Sequence, residues 1–192
     1  MRTSIFNFIL EPENNVVYKN TVSVGDKELI MNTHLNGNDK NLLQMQGKVL
    51  NAPLYNKTSV RDGYRVHVQH NTFRPWTDQF GEMQHGNIIS DGEYFATPDL
   101  IHAYNDGDEW YSTNGWIFLK PIMYSKEGDI ESLEVPRPDK GVIAFKQDPL
   151  VEDTTLNIGD KVTFISGKRV TTTVDGETYM RVRQSDILLN HG

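Results

Sequence analysis

The sequence contains one series of landmarks twice, in the same order. An apolar run ends in proline, a glycine precedes an alternating run, an Asp-Gly-Glu triplet follows, and an aspartate with two aliphatic residues closes the series. The copies lie at 7–12, 63–68, 91–93 and 99–101, and at 116–121, 159–164, 175–177 and 186–188. A shared order is harder to obtain by chance than a shared composition, so the pattern predicts that one supersecondary unit was duplicated. The alternative is that Gly, Asp and aliphatic residues recur in any β protein.

The duplication predicts two small domains in the 192 residues, 1–108 and 109–192. The connecting segment Tyr104–Gly115 contains the large aromatic residues Trp110 and Tyr111 and is not rich in Ser or Pro. Such a segment is typical of a tight β connection rather than a flexible linker. The two domains are therefore expected to pack rigidly together.

Alternating apolar and polar residues dominate the chain and predict an all-β fold. Tyr64, Val66 and Val68 alternate with polar residues, and Asn-Gly and Asp-Gly dipeptides recur as hairpin signals. The one candidate helix, Asn38–Met45, is short and poorly capped. Many short strands with frequent turns are typical of small barrels or sandwiches.

Charge and composition exclude several classes of partner. The net charge is −7 and no basic stripe is present, so a nucleic-acid partner is not expected. The chain has no cysteine, which excludes disulfides and thiolate chemistry. No apolar run approaches the ~20 residues of a membrane span, and the short run Ile5–Leu10 is interpreted as a strand and not as a signal peptide. The expected location is the cytoplasm, or a particle assembled there.

No catalytic constellation is found in the sequence. His67 and His70 are three positions apart, a spacing that places them on opposite faces of a strand. A site built from His70, His85 and a carboxylate is the alternative to solvent-facing or hydrogen-bonded imidazoles. Asp106, Asp108 and Glu109 lack the spacing of a calcium loop and predict a solvated turn. No phosphate loop or serine elbow is present, so we expect no enzyme, no cofactor and no metal.

The first half carries two insertions relative to the second half, within 13–46 and near 74–86. Long loops without secondary structure are uncommon unless they are functional or disordered, so specialised function is expected in these segments. Phe73, Trp76 and Phe80 belong to the second insertion or border it. They are interpreted as a buried satellite core, with an exposed binding surface as the alternative.

The second half resembles GroES-type co-chaperonins over residues 116–190. The resemblance is carried by Phe118-Leu119-Lys120-Pro121, Lys140-Gly141-Val142-Ile143, Leu156–Phe164 with its Gly-Asp pair, Asp175–Tyr179 and Gln184–Leu188. The first half is similar through Gly47-Lys48-Val49, the strand after Gly63 and Asp99-Leu100-Ile101. It departs from the family pattern at Gly63-Tyr64, which lacks the Gly-Asp pair, and in its two insertions.

The resemblance implies two tandem GroES-like β-barrels whose terminal strands pair with neighbouring subunits in a homo-oligomeric ring. It also implies a mobile loop whose apolar tripeptide docks on a GroEL-type chaperonin ring, and no active site. In the first half this loop would contain Glu28, Leu29, Ile30 and Met31. The alternative is that 27–33 is an ordinary strand packed on the barrel. Ile130, Leu133 and Val135 are a second, less compact group in the second half.

The function expected from the resemblance is capping of a chaperonin ring during protein folding. One difficulty is symmetry, since paired barrels do not give a seven-barrel ring from whole chains. The alternative is a structural assembly protein, such as a virion component, that reuses the same barrel. A medium-chain alcohol dehydrogenase substrate domain is disfavoured because the nucleotide-binding half and the cysteine pattern are missing.

Overall fold

The computed structural model of the chain is all-β, as the alternation predicts. It describes residues 4–18, 21–25, 27–30, 43–74, 76–77, 79–84, 86–90, 92–126, 133–150 and 155–192. These residues form strands and short 3₁₀ turns without an α-helix, and none of their helical turns is long and apolar enough to cross a membrane. The chain divides into two compact units, Met1–Ile101 and His102–Gly192.

The described residues of the first unit form nine strands. In chain order they are β1 Phe8–Pro12, β2 Thr21–Val24, β3 Lys27–Ile30, β4 Gln46–Asn51, β5 Arg65–Val68, β6 Trp76–Thr77, β7 Met83–Gln84, β8 Ile88–Ser90 and β9 Glu93–Ala96. Five of them are neighbours in the order β5-β4-β1-β9-β8. The remaining four form two separate two-stranded sheets, β2 with β3 and β6 with β7.

The second unit begins within strand β10. Its strands are β10 Ile101–Asn105, β11 Trp110–Ser112, β12 Trp116–Lys126, β13 Leu133–Ile143, β14 Lys146–Gln147, β15 Lys161–Phe164, β16 Val170–Val174, β17 Glu177–Arg183 and β18 Ile187–Asn190. The larger sheet has the order β18-β15-β13-β12-β17-β16. Strand β11 lies between β10, which is antiparallel to it, and β14, which is parallel to it.

The same five-strand order therefore occurs in both units. The order β5-β4-β1-β9-β8 of the first unit corresponds to β15-β13-β12-β17-β16 of the second. The register agrees as well, since Pro12 is paired with Gly47 and Pro121 with Gly141. Each of these glycines is paired in turn with a valine of the next strand. The order of landmarks in the sequence thus corresponds to a repeated topology.

A glycine turn is repeated between the second and third strands of this order. The amide of Gly63 donates to the carbonyl of Val49 over 2.8 Å, and the amide of Gly159 donates to the carbonyl of Ile143 over 2.9 Å. The two glycines have φ angles of 84° and 92°. Only glycine adopts this region without strain, so these two positions constrain the sequence most directly.

The hairpin landmarks do not superimpose residue for residue. Leu10 is paired with Tyr94, two positions after Gly92, whereas Leu119 is paired with Met180, four positions after Gly176. The second hairpin is therefore longer, although both carry glycine at the tip. The residue type at a hairpin tip fixes the turn but not the length of the strands that follow.

Closed barrels, which the resemblance implies, are not found. Within the described residues of each unit, strand pairing runs from one edge strand to another and does not return to its start. The two edge strands of the larger sheet in the second unit are β18 and β16.

Both faces of the sheet in the second unit are covered by apolar side chains. One face packs Ile117, Leu119, Ile143, Val162, Phe164, Met180 and Val182. The other packs Ala103, Phe118, Phe145, Val174 and Tyr179, with Trp110 and Trp116 against them. In β17, Met180 and Val182 are buried on one face of the sheet, and Tyr179 and Arg181 are buried on the opposite face.

The core of the first unit is also denser than alternation predicts. Its buried residues include Phe8, Leu10, Val49, Val66, Val68, Phe73, Tyr94 and Ala96. Val66 and Val68 are buried as expected, but His67 between them is buried too, so the expectation of a polar face on β5 is wrong there. A strand covered on both sides loses the alternating signature.

Candidate binding arms

Each unit inserts a segment between its two central strands at the same place. One segment connects the paired residues Pro12 and Gly47, and the other connects the paired residues Pro121 and Gly141. Because each pair is in direct register, the intervening chain must turn back on itself. We call residues 13–46 the first arm and residues 122–140 the second arm.

The first arm begins as a strand pair. Tyr18 forms an isolated antiparallel bridge with Leu43, and the amide of Gln44 donates to the carbonyl of Val17 over 2.9 Å. The side-chain amide of Gln44 also donates to the carbonyl of Glu13 over 3.3 Å. The two sides of the arm are therefore held together at its base. Burial is the main cause that raises the pKa of the Tyr18 hydroxyl there.

Further along the first arm, β2 and β3 form a hairpin. Val24 is paired with Lys27 at the turn, and Val22 with Leu29. Gly25 has a φ of 62°, the left-handed conformation that a two-residue hairpin turn needs. The hairpin forms a sheet of its own, separate from the five-stranded sheet.

The predicted docking residues of the first arm lie on this hairpin. Glu28, Leu29 and Ile30 belong to β3, and Met31 lies outside the described residues. Of the two expectations for this segment, a loop or an ordinary strand, the backbone of Lys27–Ile30 is a strand. It is paired with its own hairpin partner, β2, and not with the five-stranded sheet against which a packed strand was expected.

The second arm is a continuation of the sheet in the second unit. Strands β12 and β13 remain paired beyond the Pro121–Gly141 position, as far as Lys126 opposite Leu133. Leu133 and Val135 therefore lie on a strand and not on a loop, which corrects the expectation for them. Ile130 lies outside the described residues.

A contact between an arginine and an aromatic ring links the two strands of the second arm. Val135 is paired with Tyr124, and the guanidinium carbon of Arg137 lies 5.4 Å from the centroid of the Tyr124 ring. Such cation–π contacts contribute ~0.5–1 kcal/mol at exposed positions. Met123, on the same strand as Tyr124, is an exposed large apolar residue.

A cavity lies at the base of the first arm. It has a volume of about 290 Å³ and is lined by Glu11, Pro12, Glu13, Asn14, Asn15, Gly47, Lys48 and Arg65. Nη2 of Arg65 lies 2.8 Å from Oε1 of Glu13. This ion pair is partly exposed and contributes little to stability, ~0–1 kcal/mol. Its position joins the first residue of the arm to β5.

The backbone at this base is constrained in two ways. Asn14 and Asn15 have φ angles of 58° and 54°, a left-handed conformation that asparagine tolerates better than most residues. Gly47 approaches the opposite strand so closely that a Cβ atom there would lie 2.5 Å from the carbonyl oxygen of Glu11. Together these features fix the direction in which the arm leaves the sheet.

The second insertion of the first unit, 74–86, also folds as a hairpin. Trp76 is paired with Gln84, and Thr77 with Met83. Of the three aromatic residues expected in a satellite core, Phe73 is buried and packs edge-on against Tyr94 at 5.2 Å. The expectation is wrong for Phe80, which lies between the two strands and is 81% exposed.

Phe80 is therefore an exposed apolar residue that the sequence interpretation assigned to a core. The adjacent Gly81 has a φ of 82° and is a residue type that favours turns, so it is the signal from which a turn at this position could have been predicted. An aromatic residue beside a turn glycine is more exposed than the same residue within a strand. Phe80 is a second candidate contact on the first unit.

The histidines do not assemble a metal site in the described part of the chain. No group of three or more His, Asp or Glu side chains there is arranged to hold a metal ion. His85, a member of the site considered from the sequence, lies outside the described residues. The Asp106 carboxylate accepts from the amides of Asp108 and Glu109, both at 3.0 Å, and these bonds lower its pKa. This geometry matches the expected solvated turn.

No protein-family model matches this chain, and no curated protein sequence matches it.

Proposed function

We propose that this chain is a co-chaperonin-like protein that binds and caps a GroEL-type chaperonin ring. It would do so with two tandem GroES-like barrel units, assisting protein folding as a binding protein and not as an enzyme. The observation that supports the proposal is the repeated register, in which both units extend an arm between a Pro–Gly strand pair. A duplicated scaffold with one such arm on each unit is suited to bind another molecule at two equivalent positions.

The first arm carries the proposed docking residues Leu29, Ile30 and Met31, next to Glu28. In a chain with net charge −7, three consecutive apolar residues that begin on the hairpin strand Lys27–Ile30 are a recognition element of limited area. A small contact gives modest affinity for each copy. Repetition around a ring raises the total affinity by effective concentration and still permits release. Ile130, Leu133 and Val135 of the second arm are the secondary candidates.

The test of this proposal is capture of the protein by a purified GroEL-type chaperonin with and without nucleotide. The wild-type protein is expected to co-sediment with the chaperonin in at least one nucleotide state. The triple variant Leu29→Ala, Ile30→Ala, Met31→Ala is expected to lose at least about tenfold in affinity, since each buried aliphatic side chain contributes ~1.5–3 kcal/mol. Its thermal unfolding midpoint should stay close to that of the wild type.

The matched control is the triple variant Ile130→Ala, Leu133→Ala, Val135→Ala, which removes the same kind of side chain from the second arm. It is expected to retain most of the binding. Absence of a complex in every nucleotide state contradicts the proposal. A large fall in the thermal midpoint of the first variant would show instead that Leu29, Ile30 and Met31 belong to the core.

Assembly into a homo-oligomeric ring is part of the proposal. Strand β18 is an edge strand near the carboxyl end, and its residues Leu188 and Leu189 are 59% and 57% exposed. An exposed edge strand with large apolar residues is a template for pairing with another chain. Ile5 and Phe6, just before β1, are exposed as well. These two segments are the proposed subunit contacts.

We therefore expect the double variant Leu188→Glu, Leu189→Glu to be monomeric under conditions in which the wild type forms an oligomer. Two like charges on an edge strand oppose pairing between chains and cost little where both residues face water. Sedimentation velocity measures the difference. Ile165→Glu, at an exposed position outside β18, is the control. An unchanged oligomer in the double variant would place the subunit contact elsewhere.

A structural assembly protein, such as a virion component, is the second candidate. One observation favours it, namely that the hairpin of the first arm is regularly paired strand rather than irregular loop. A protein of this class would form large particles without a chaperonin. Sedimentation of the pure protein as large assemblies, together with absence of chaperonin binding, would favour it over capping. The same result would favour a virion rather than a cytoplasmic location.

A further inference from the structure

Two arginines of the second unit share one aromatic ring. Arg181 and Arg183 are alternate residues of β17, and Trp116 is paired with Arg183 across the sheet. The guanidinium carbons of Arg181 and Arg183 lie 4.4 and 3.7 Å from the centroid of the Trp116 ring. In the described part of the chain, neither guanidinium forms an ion pair with a carboxylate.

The burial of the Arg181 side chain is energetically unfavourable for its charge. Its side chain is only 5% exposed, and burial, with the neighbouring charge of Arg183 as a second cause, lowers its pKa to about 10. One of its terminal nitrogens contacts Nδ1 of His102. A buried cation without a counter-charge is unfavourable, because no opposite charge offsets the cost of removing it from water.

The cluster has several free donors. Nε of Arg181 and Nε1 of Trp116 are buried, and in the described residues they have no hydrogen-bond partner. Arg183 is exposed, and its Nη1 donates to the carbonyl of Asn114 over 2.9 Å. This bond and the contact with Trp116 hold the Arg183 guanidinium in one plane, with its other N–H groups available. The exposed guanidinium of Arg183 can therefore donate hydrogen bonds to an acceptor from solvent, with the buried charge of Arg181 next to it on the same ring.

We propose that Arg181, Arg183 and Trp116 form a binding site for a dianionic oxyanion, the phosphate group of free phosphate or of a phosphate ester. Arg183 binds the oxyanion directly through its planar N–H groups, the geometry in which arginine recognises such groups. Arg181 contributes its charge from a buried position against the same ring, where low polarity strengthens the attraction. Two positive charges match the two negative charges of a phosphate dianion better than they match the single negative charge of a carboxylate. This site does not depend on chaperonin binding.

The experiment compares sodium phosphate and phenyl phosphate with sodium acetate and sodium chloride at matched ionic strength. It is performed near pH 8, above the second pKa of a phosphate ester, about 6. Thermal unfolding and tryptophan fluorescence of the full chain are measured. Both phosphate compounds are expected to raise the unfolding midpoint and to change the emission at millimolar concentration, whereas acetate and chloride are not. A response to the ester alone would assign the site to esters.

Three variants locate the response. Arg183→Gln is expected to weaken phosphate binding at least about tenfold, the effect of losing charged hydrogen bonds. Arg181→Met is expected to weaken it as well, while its midpoint in chloride is unchanged or higher. Arg137→Gln is the control, since Arg137 also stacks on an aromatic ring, Tyr124, but is a single arginine. It should respond as the wild type does.

The proposal is overturned if Arg183→Gln responds to phosphate as strongly as the wild type. It is also overturned if acetate acts as well as phosphate, or if neither phosphate compound has an effect beyond that of chloride. If Arg181→Met does not fold, the comparison of Arg183→Gln with Arg137→Gln decides the question alone.

Discussion

Replacing Gly47 with alanine is expected to destabilise the first unit by about 3 kcal/mol, at the upper end of the usual cost of overpacking. A Cβ atom at this position would lie 2.5 Å from the carbonyl oxygen of Glu11 and 2.8 Å from the ring of Phe73. The first neighbour is backbone of the paired strand, so it cannot move without disturbing the β1–β4 register. Urea unfolding measures the loss, and amide hydrogen exchange assigns it to the first unit.

The equivalent change in the second unit, Gly141→Ala, is expected to cost less, about 1–2 kcal/mol. Its Cβ would lie 2.9 Å from Cβ of Leu119 and 3.0 Å from Cε of Met180. The methionine end is flexible and can move aside. Lys48→Ala, next to Gly47 on an exposed position, is the control and should change stability little. Equal costs at Gly47 and Gly141 would contradict the argument from backbone contact.

Replacing Phe145 with alanine is expected to destabilise the second unit by about 3–5 kcal/mol, the usual cost of removing a buried aromatic side chain. The Phe145 ring is stacked on Phe118 at 4.7 Å and on Trp110 at 5.6 Å, and it lies 5.0 Å from Tyr179. The loss is measured by urea unfolding with tryptophan fluorescence, in which Trp110 reports directly.

Phe80→Ala is the matched control, the same substitution at a position that is 81% exposed. It is expected to change stability by no more than about 0.5 kcal/mol. Phe145→Leu, which refills most of the space, should lose clearly less than Phe145→Ala. A cost for Phe145→Ala no larger than that of Phe80→Ala would show that the second face is not a core.

Much of the fold could be predicted from a few positions. The Pro–Gly register and the glycines at 63 and 159 recur because close strand approach and a left-handed turn tolerate few residue types. These requirements are local, so they leave a signal in the sequence itself. The Asp-Gly hairpin tip is also local, but the strand length beyond it is not, and the two copies differ there.

The candidate arms were predicted in position but not in conformation. For Glu28–Ile30 the sequence leaves a loop and an ordinary strand as alternatives, and for Leu133–Val135 it predicts a loop. Both segments lie on paired strands. Their sequences are short and mixed in polarity. An apolar triplet in such a segment is equally consistent with a docking loop and with a strand. Whether such a segment is a loop or a strand depends on its pairing with another segment of the same arm, and the periodicity of the sequence carries no information about that pairing.

The sequence by itself determined that the chain is all-β, that one series of landmarks occurs twice, and that the first half carries extra residues within 13–46 and near 74–86. These properties follow from alternation, glycine conformation and turn chemistry, which act over a few residues. Only the tertiary structure decided that the sheet of the second unit is covered on both faces, and that Arg181 is buried against Trp116 and His102. Burial depends on what packs against a strand from distant parts of the chain, and no short window of sequence contains that information.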